Sequence, residues 1–266
     1  MIFRLLFLVF VFIPVAIIVI PVQFVINLFN PPFWNLLPQF FHRLSCIFLG
    51  LKVTVIGKPA TGRPTLVTAN HISWTDIVAI GAVADVTFVA KTEVKGWFFV
   101  GMLADLQRTI YVDRKRPSDA GRTSREMARH MAAGNAVLLF AEGQSDVGTH
   151  VMPFKTALVG AAQHAMEEAG ATDVMIQPLT IAYTHLQGLP VSRTERSLIA
   201  WIKTKSIRQN IREILTGGTK SVTVAFGIPK PLPAGADRKV VTREAENDVR
   251  RMLVALNRGQ PLPAVE

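Results

Sequence analysis

The chain has 266 residues, enough for one α/β domain with a full hydrophobic core. Its formal net charge of +10 favours an anionic partner, such as a membrane leaflet, a nucleic acid or an acidic substrate. The single cysteine, Cys46, excludes an internal disulfide and fits a reducing compartment. Half of the residues are hydrophobic, and they are concentrated at the N-terminus.

The first predicted element is an apolar run. Residues 5–22 are all apolar or proline, and no charged residue lies between Arg4 and Arg43. A run of this length is a candidate transmembrane helix, and Arg4 would bias its N-terminus to the cytoplasm. A cleaved signal peptide fits less well, because no small-residue cleavage site follows the run.

The prolines in this region favour a different topology. Pro14 and Pro21 are expected to interrupt the first segment, and residues 30–38 are typical of a turn. A second apolar segment follows at residues 40–51. This pattern predicts a helical hairpin lodged in one leaflet, with Trp34 and Arg43 at the membrane interface. We therefore expect stable membrane association, as a span or as a hairpin.

Beyond residue 51, short β-type runs alternate with helical stretches. The β-type runs are rich in Val, Ile, Thr and Phe, and they cover residues 52–57, 65–69, 86–90, 109–112, 136–140, 175–183 and 221–227. Helical periodicity is found at residues 119–133, 156–169 and 242–258. This alternation predicts an α/β fold with a mixed, largely parallel sheet flanked by helices.

The domain organisation follows from these patterns. Residues 1–51 are predicted to anchor the chain in the membrane, residues 52–258 to form the main domain, and residues 259–266 to form a flexible tail. Within the run 175–183, Pro178 predicts an edge strand or a bulge, because proline cannot donate to a sheet ladder.

The stretch TANHISWTDIVAI places His71 after a predicted strand and Asp76 five residues later. On one continuous helix these side chains would be about 140° apart and could not meet. They can meet if the helix begins between them. Ser73 is a good N-cap, and Ser73 to Asp76 matches a capping pattern. His71 would then lie in a loop at the carboxyl end of a strand, where the sites of α/β sheets gather.

Two interpretations of this stretch remain open on these residues alone. Asp76 can simply cap the helix, with His71 as an ordinary loop residue. Alternatively, Asp76 accepts a hydrogen bond from one imidazole nitrogen, and the other nitrogen serves as a base near neutral pH.

Four motifs, in this order, resemble those of the glycerolipid acyltransferases, the family that includes 1-acyl-glycerol-3-phosphate acyltransferase. They are N-H-x-x-x-x-D at residues 70–76, Y-V-D-R at 111–114, F-x-E-G at 140–143 with P-F-K at 153–155, and a proline-containing strand at 176–183. An A-K-x-E sequence at residues 90–93 also matches. The hydrophobic N-terminus resembles the membrane-lodged hairpin of this family.

The resemblance implies a membrane-bound enzyme that transfers a fatty acyl group from acyl-CoA or acyl carrier protein to the free hydroxyl of a lysolipid. The acceptor it implies most directly is 1-acyl-sn-glycerol 3-phosphate, which would give phosphatidic acid. A thioester is already activated, so the enzyme needs a base, an orienting group and dipoles for the oxyanion. The resemblance assigns His71 as the base and Asp76 as the orienting group. Backbone N–H groups near the start of the following helix, or in the turn at Glu142 and Gly143, are candidates for the oxyanion.

Five further residues are candidates for substrate binding by the same resemblance. It assigns Arg114 to the acceptor head group, and Glu142 and Gly143 to its glycerol portion. Lys91 and Lys155 are the two remaining candidates.

The sequence departs from the family pattern after Gly143. Gln144 and Ser145 stand where the family usually has Thr and Arg, and a planar guanidinium gives bidentate phosphate binding that a serine cannot. Either other cations are sufficient, or the acceptor lacks a phosphomonoester. Bacterial relatives with an E-G-x-S-D loop acylate lyso-ornithine lipid, which is therefore the alternative acceptor. A catalytically idle lipid-binding protein is a third possibility, although it has no chemical need for both His71 and Asp76.

No other partner or cofactor is expected. The six histidines show no metal-ligand spacing, and no cysteine cluster or nucleic-acid-binding motif occurs. The predicted partners are membrane lipids, a lysolipid acceptor and the acyl donor. The predicted location is the inner membrane, with the catalytic domain facing the cytoplasm.

Overall fold

The N-terminal apolar segment forms a helical hairpin. Its first arm runs through α1 (Ile2–Phe7), a π-helical stretch (Leu8–Phe12) and α2 (Ile13–Phe29). The second arm is α3 (Leu36–Leu49), which packs beside the first. The structure is a computed structural model that describes every residue except 1, 30, 32, 114–119, 158, 161–173, 234 and 264–266.

The prolines do not break the first arm. Pro21 lies inside α2, so the predicted interruption there is wrong. Pro14 follows the π-helical stretch, where the Ile13 N–H donates to the Leu8 carbonyl. Within the described residues, Arg4–Phe29 is long and apolar enough to span a membrane, and only 6% of its most apolar window is buried. An exposed apolar helix fits a membrane anchor better than a core helix.

Nine strands form one sheet in the described part of the chain. Their bounds are β1 Leu51–Ile56, β2 Thr65–Ala69, β3 Val86–Lys91, β4 Ile110–Val112, β5 Ala136–Phe140, β6 Met175–Leu186, β7 Leu189–Pro190, β8 Lys220–Phe226 and β9 Lys230–Pro231. The main order is β1-β8-β6-β2-β5-β3-β4, with β7 and β9 paired to β6. Only the pairings of β6 with β7, β8 and β9 are antiparallel. The predicted mixed, largely parallel sheet is therefore confirmed.

Helices cover both faces of this sheet. Beyond the hairpin they are α4 Thr75–Gly81, α5 Thr92–Lys95, α6 Phe98–Leu106, α7 Ala120–Ala132, α8 Arg193–Ile199, α9 Ile207–Thr216 and α10 Arg238–Arg258. One hydrophobic cluster involves α3, α4 and α9, and the other involves α7 and α10. A largely parallel sheet is stable only when both faces are covered in this way. The predicted helix at residues 156–169 lies mostly outside the described residues.

The predicted edge position of Pro178 is wrong, because β6 lies between β8 and β2. The Pro178 carbonyl accepts the Gly227 N–H at 2.8 Å, so its nitrogen faces the same side of the strand. On that side the β8 ladder ends at Leu179, and β9 begins to pair at Ile176. The Pro178 nitrogen therefore faces the gap between β8 and β9, where the lack of an N–H removes no hydrogen bond of the sheet.

The hairpin passes directly into the sheet. Gly50 caps α3 in the left-handed conformation (φ 70°), and Leu51 already pairs with Lys220 of β8. At the other end, α10 stops at Gly259, which is also left-handed (φ 63°). The division into residues 1–51, 52–258 and 259–266 stays a prediction.

Candidate active site

The loop between β2 and α4 lies at the carboxyl end of β2, as predicted from the sequence. Asn70, the first residue of the loop, continues the pairing of β2 with β6 through its side chain. Its Oδ1 accepts the Ile181 N–H at 2.9 Å, and its Nδ2 donates to the Ile181 carbonyl at 3.0 Å. This two-way contact fixes the chain immediately before His71.

His71 and Asp76 meet, as predicted for a loop histidine facing the first turn of a helix. The distance from His71 Nδ1 to Asp76 Oδ2 is 2.8 Å. With Asp76 ionised, Nδ1 carries the proton, and the lone pair lies on Nε2. Ser73 is not the cap that its sequence position predicts, because its hydroxyl has no hydrogen-bond partner among the described residues. The helix begins at Thr75 with Trp74 as its N-cap, and no side chain caps it; the Asp76 carboxylate instead accepts N–H groups of the loop before the helix.

The Asp76 carboxylate is completely buried and accepts four hydrogen bonds. Besides His71, Oδ2 accepts the N–H groups of Ile72 at 2.6 Å and Ser73 at 2.9 Å. Oδ1 accepts the Tyr183 hydroxyl at 2.9 Å. A buried carboxylate is tolerated when its lone pairs are satisfied in this way. One side chain therefore orders the loop and orients the imidazole together.

Tyr183 is a member of the site that sequence reasoning missed. It lies on β6, is fully buried, and also contacts the Thr75 hydroxyl at 2.6 Å. Burial raises the pKa of Tyr183 well above its ordinary value, and the nearby charge of Asp76 adds to this shift. The phenol therefore keeps its proton and acts as a donor to Asp76. The only available signal was its place at the end of a predicted strand.

The His71 ring lies between the core and a cavity. One face stacks on the Phe140 ring, with the ring centroids 4.1 Å apart. The side chain is 17% exposed. Its backbone is fixed on both sides, because its N–H donates to Glu142 and its carbonyl accepts the Asp146 N–H. The imidazole is thus held in place but accessible from the cavity.

Glu142 follows β5 and is 1% exposed. Its Oε2 accepts the His71 N–H at 2.6 Å, and its Oε1 accepts the Met152 N–H at 2.7 Å. Burial raises the pKa of Glu142 to about 8, and the carboxylates of Asp146 and Asp76 add to the shift, while the two N–H donors oppose it. In this position Glu142 connects the His71 loop to the segment that contains Met152. Its predicted contact with the acceptor stays a prediction.

The turn after Glu142 needs a glycine. Gly143 has φ 74°, in the left-handed region, and its N–H donates to the Phe140 carbonyl at 3.0 Å. The N–H groups of Ile72, Ser73 and Gly143 thus all have acceptors within the protein. These three are therefore not available for an oxyanion in this conformation.

Ser145, at the position where the family usually has arginine, has a structural contact. Its hydroxyl donates to the Trp201 carbonyl, and the Trp201 N–H donates to the Ile72 carbonyl at 3.0 Å. The segment around Trp201 is thereby bonded both to the loop that holds His71 and to the loop that follows β5. The sequence analysis did not single out this segment, although Ser192 and Glu195 form a capping box at its start.

A cavity of about 470 Å³ opens beside His71. Its apolar wall includes Trp74, Phe140, Trp97 and Trp201, and its charged lining residues are Lys91, Glu93, Lys203 and Lys205. Gly143 and Ser145 also border it. An elongated apolar substrate with a charged group fits such a lining.

The other predicted binding residues are placed differently. Lys91 lines the cavity, whereas Lys155 is exposed and is not among the lining residues. Arg114 lies outside the described residues. The roles of all three in substrate binding stay predictions.

Comparison with known proteins finds relatives over almost the whole chain. Residues 52–182 match the Acyltransferase family. The chain is 40% identical over 244 residues to a lyso-ornithine lipid O-acyltransferase of Brucella abortus, covering 92% of this chain and 91% of that protein. It is 36% identical over 254 residues to one of Rhizobium meliloti, covering 95% and 86%. A solved 1-acyl-sn-glycerophosphate acyltransferase from Thermotoga maritima has the same fold, with a TM-score of 0.61 at 22% identity, over 84% of this chain and 80% of that one.

Proposed function

This chain belongs to the Acyltransferase family and is an acyltransferase of lysolipids, and we propose that its acceptor is lyso-ornithine lipid. The observation that carries this proposal is the contact of Ser145. Because residue 145 is a serine, it offers no guanidinium to a phosphomonoester, and its hydroxyl already donates to the Trp201 carbonyl. The names of the Brucella and Rhizobium relatives support the same acceptor.

The charges around the cavity also support this acceptor. An ornithine head group carries a carboxylate and an ammonium group, whereas a phosphomonoester is only anionic. The cavity offers both signs of charge, with Lys91 and Lys203 as cations and Glu93 as an anion. In the proposed complex, a lysine pairs with the head-group carboxylate and Glu93 with the ammonium group.

His71 is the proposed general base. Its Nε2 removes the proton from the acceptor hydroxyl while the hydroxyl oxygen attacks the thioester carbonyl carbon. The tetrahedral intermediate then collapses, the carbon–sulfur bond breaks, and the thiolate takes the proton from the imidazolium. Asp76 holds the required tautomer and stabilises the imidazolium that forms between these steps. Tyr183 and Asn70 position this pair without touching the substrate, and Glu142 holds the His71 loop by accepting the His71 N–H.

The proposed acyl donor is acyl-CoA or acyl carrier protein, as the family resemblance implies. Both donors are acidic, and the net charge of +10 suits either of them. The reaction as proposed uses no cofactor, because the thioester supplies the activated acyl group.

We further propose that the N-terminal hairpin seats the enzyme in the cytoplasmic leaflet of the inner membrane. The first arm is bonded to the catalytic domain near both of its ends. Arg4 donates to the Leu215 and Gly218 carbonyls, and Asn27 donates to the Leu106 carbonyl at 2.9 Å. A helix bonded to one domain in this way lies along the domain rather than projecting across a bilayer. This arrangement favours the hairpin over the transmembrane span.

The proposed reaction is tested with purified protein in vesicles that contain either lyso-ornithine lipid or 1-acyl-sn-glycerol 3-phosphate. Each acceptor is incubated with acyl-CoA and, separately, with acyl carrier protein loaded with a fatty acyl thioester, and the products are identified by mass spectrometry. We expect ornithine lipid from the native protein and none from His71→Ala, with equal vesicle binding by both proteins. Phosphatidic acid as the only product would contradict lyso-ornithine lipid as the acceptor. Undiminished turnover by His71→Ala would contradict His71 as the general base.

A further inference from the structure

Helix α6 presents apolar side chains to the surrounding medium. Trp97, Phe99, Val100 and Met102 are all exposed, and we call these four residues the α6 surface. The sequence from residue 98 to residue 104 contains no charged residue. Contiguous exposed apolar side chains of this size mark a protein or membrane contact rather than a surface facing water.

The α6 surface adjoins the N-terminal anchor. The last turn of α6 is bonded to α2, because Asn27 Nδ2 donates to the Leu106 carbonyl at 2.9 Å and Gln23 Nε2 donates to it at 3.5 Å. Arg108, just beyond α6, donates to Asn27 Oδ1 and lies 4.5 Å from the centroid of the Trp34 ring. Trp34 is therefore buried in this junction, and its predicted position at the membrane interface is wrong. The junction fixes α6 relative to the apolar helix.

The α6 surface also borders the active-site cavity. Trp97 and Val100 line that cavity, and the Trp97 ring lies edge to face with Trp201, with the ring centroids 5.6 Å apart. Tryptophan is enriched at membrane interfaces, where its ring is half in the apolar phase and its N–H is hydrated. One side of the cavity is thus bordered by exposed apolar side chains of α6, the helix that is bonded to the N-terminal anchor.

We propose that the α6 surface inserts into the same leaflet as the N-terminal hairpin, as a second membrane contact at the entrance of the cavity. The continuity of α6 with α2 favours a lipid leaflet over any other occupant. With α6 embedded, the entrance opens at the level of the acyl chains, and a lysolipid reaches His71 without leaving the leaflet. This inference rests on the proposed membrane seating of the hairpin and is independent of the identity of the acceptor.

The insertion is tested by fluorescence on the full-length protein in vesicles of anionic phospholipid. In a Cys46→Ala background, an environment-sensitive dye is attached to Phe99→Cys or to Val240→Cys. Both native side chains are 52% exposed, but Val240 lies on α10, which packs on the opposite face of the sheet from α3. We expect nitroxide-labelled lipid to quench the dye at position 99 and to leave the dye at position 240 unquenched. Acyl transfer by each labelled protein shows that it is folded.

Activity gives a second readout. The substitution Phe99→Asp is expected to lower turnover of a vesicle-embedded lysolipid about tenfold, because it removes apolar contact with the leaflet. It should leave turnover of a short-chain, water-soluble lysolipid unchanged, and Val240→Asp should affect neither.

Two results would overturn the inference. Quenching at position 99 that is no stronger than at position 240 would show that α6 is not selectively embedded. Self-crosslinking of the unlabelled Phe99→Cys protein, with no quenching in the labelled one, would show that a second copy of the chain covers the α6 surface. Either result can be obtained with proteins that still acylate lysolipid, so the proposed function would stand.

Discussion

At the scale of single residues, the buried carboxyl groups of Asp76 and Glu142 organise the site by accepting backbone N–H groups. Asp76 gathers the donors of its own loop, and Glu142 links this loop to Met152 in a later segment. Buried acceptors that lose a donor are costly, so the loop has little freedom to deviate from this geometry. The imidazole of His71 is thereby held ready before any substrate binds.

The dependence of His71 on Asp76 is tested with Asp76→Asn. An asparagine amide offers one acceptor oxygen instead of two, so it cannot keep both the tautomer and the loop. We expect kcat to fall by about 10⁴-fold, as for triads in which asparagine replaces the orienting carboxylate. The same substitution in a His71→Ala background should cause little further loss, because the two residues act as one unit. Additive losses, measured as initial rates of product formation, would contradict the pairing.

The raised pKa of Glu142 predicts how stability changes with pH. The folded protein binds the proton more tightly than the unfolded chain, since the pKa rises from 4.5 to about 8. The contribution of Glu142 to stability is therefore fully present below the unfolded pKa and is lost as the pH rises through about 8. Glu142→Gln cannot titrate, so its stability should fall less steeply with pH over this range. Urea denaturation midpoints at a series of pH values measure the difference, and identical slopes for the two proteins would refute the shift.

The dyad could be predicted from the sequence because it lies within one short stretch. The spacing of His71 and Asp76 excluded a continuous helix, and the capping pattern placed the helix start between them. Tyr183 and Trp201 could not be found in this way, because they reach the site from segments more than one hundred residues away. The role of Ser145 likewise depends on the position of Trp201, which only the folded chain defines.

At the scale of elements, the strands were more predictable than the helices around the site. All seven β-type runs became strands, because β-branched runs between breakers are typical of a buried parallel sheet. Helices α8 and α9 were missed, although Ser192 and Ser206 both accept N–H groups as N-caps. These helices are short, and their stability comes from packing more than from intrinsic propensity.

The contact between the first helix and α9 is a further element with a testable role. Arg4 donates to the Leu215 and Gly218 carbonyls at the end of α9, where the helix dipole favours a cation. Lys220 donates to the Ile214 and Gly218 carbonyls beside it. Burial lowers the pKa of Lys220 to about 8, and the charge of Arg4 adds to this shift. The two cations together satisfy carbonyls that would otherwise be orphaned at the helix end.

Replacing Arg4 should therefore loosen both elements that it joins. In Arg4→Ala we expect faster deuterium uptake in peptides from residues 2–12 and 210–220, measured by hydrogen exchange with mass spectrometry. The matched control is Arg212→Ala, which removes an exposed cation from the same helix α9. Uptake that is unchanged in Arg4→Ala, or raised equally in both variants, would show that Arg4 does not hold the first helix to the domain.

At the scale of the whole molecule, the anchor is connected to the cavity through α6. The α6 surface borders the cavity, which has Lys91 and Lys203 among its lining residues, and the last turn of α6 is bonded to the hairpin through Asn27. The sequence predicted the membrane association and the α/β domain. It could not predict how the hairpin lies on the domain, because that depends on side-chain contacts between distant segments such as Arg4 with Leu215.

The central claim is that this enzyme acylates lyso-ornithine lipid because residue 145 is a serine, which donates to the Trp201 carbonyl, and not an arginine that could bind a phosphate. It is tested most directly by competition, with lyso-ornithine lipid and 1-acyl-sn-glycerol 3-phosphate at equal concentration in the same vesicles. The product ratio is read by mass spectrometry for the native protein, Ser145→Arg and, as the matched control, Ser145→Ala. We predict mostly ornithine lipid from the native protein, a shift towards phosphatidic acid in Ser145→Arg, and an unchanged ratio at a rate about fivefold lower in Ser145→Ala, since one hydrogen bond is lost. Phosphatidic acid as the main product of the native protein would contradict the account.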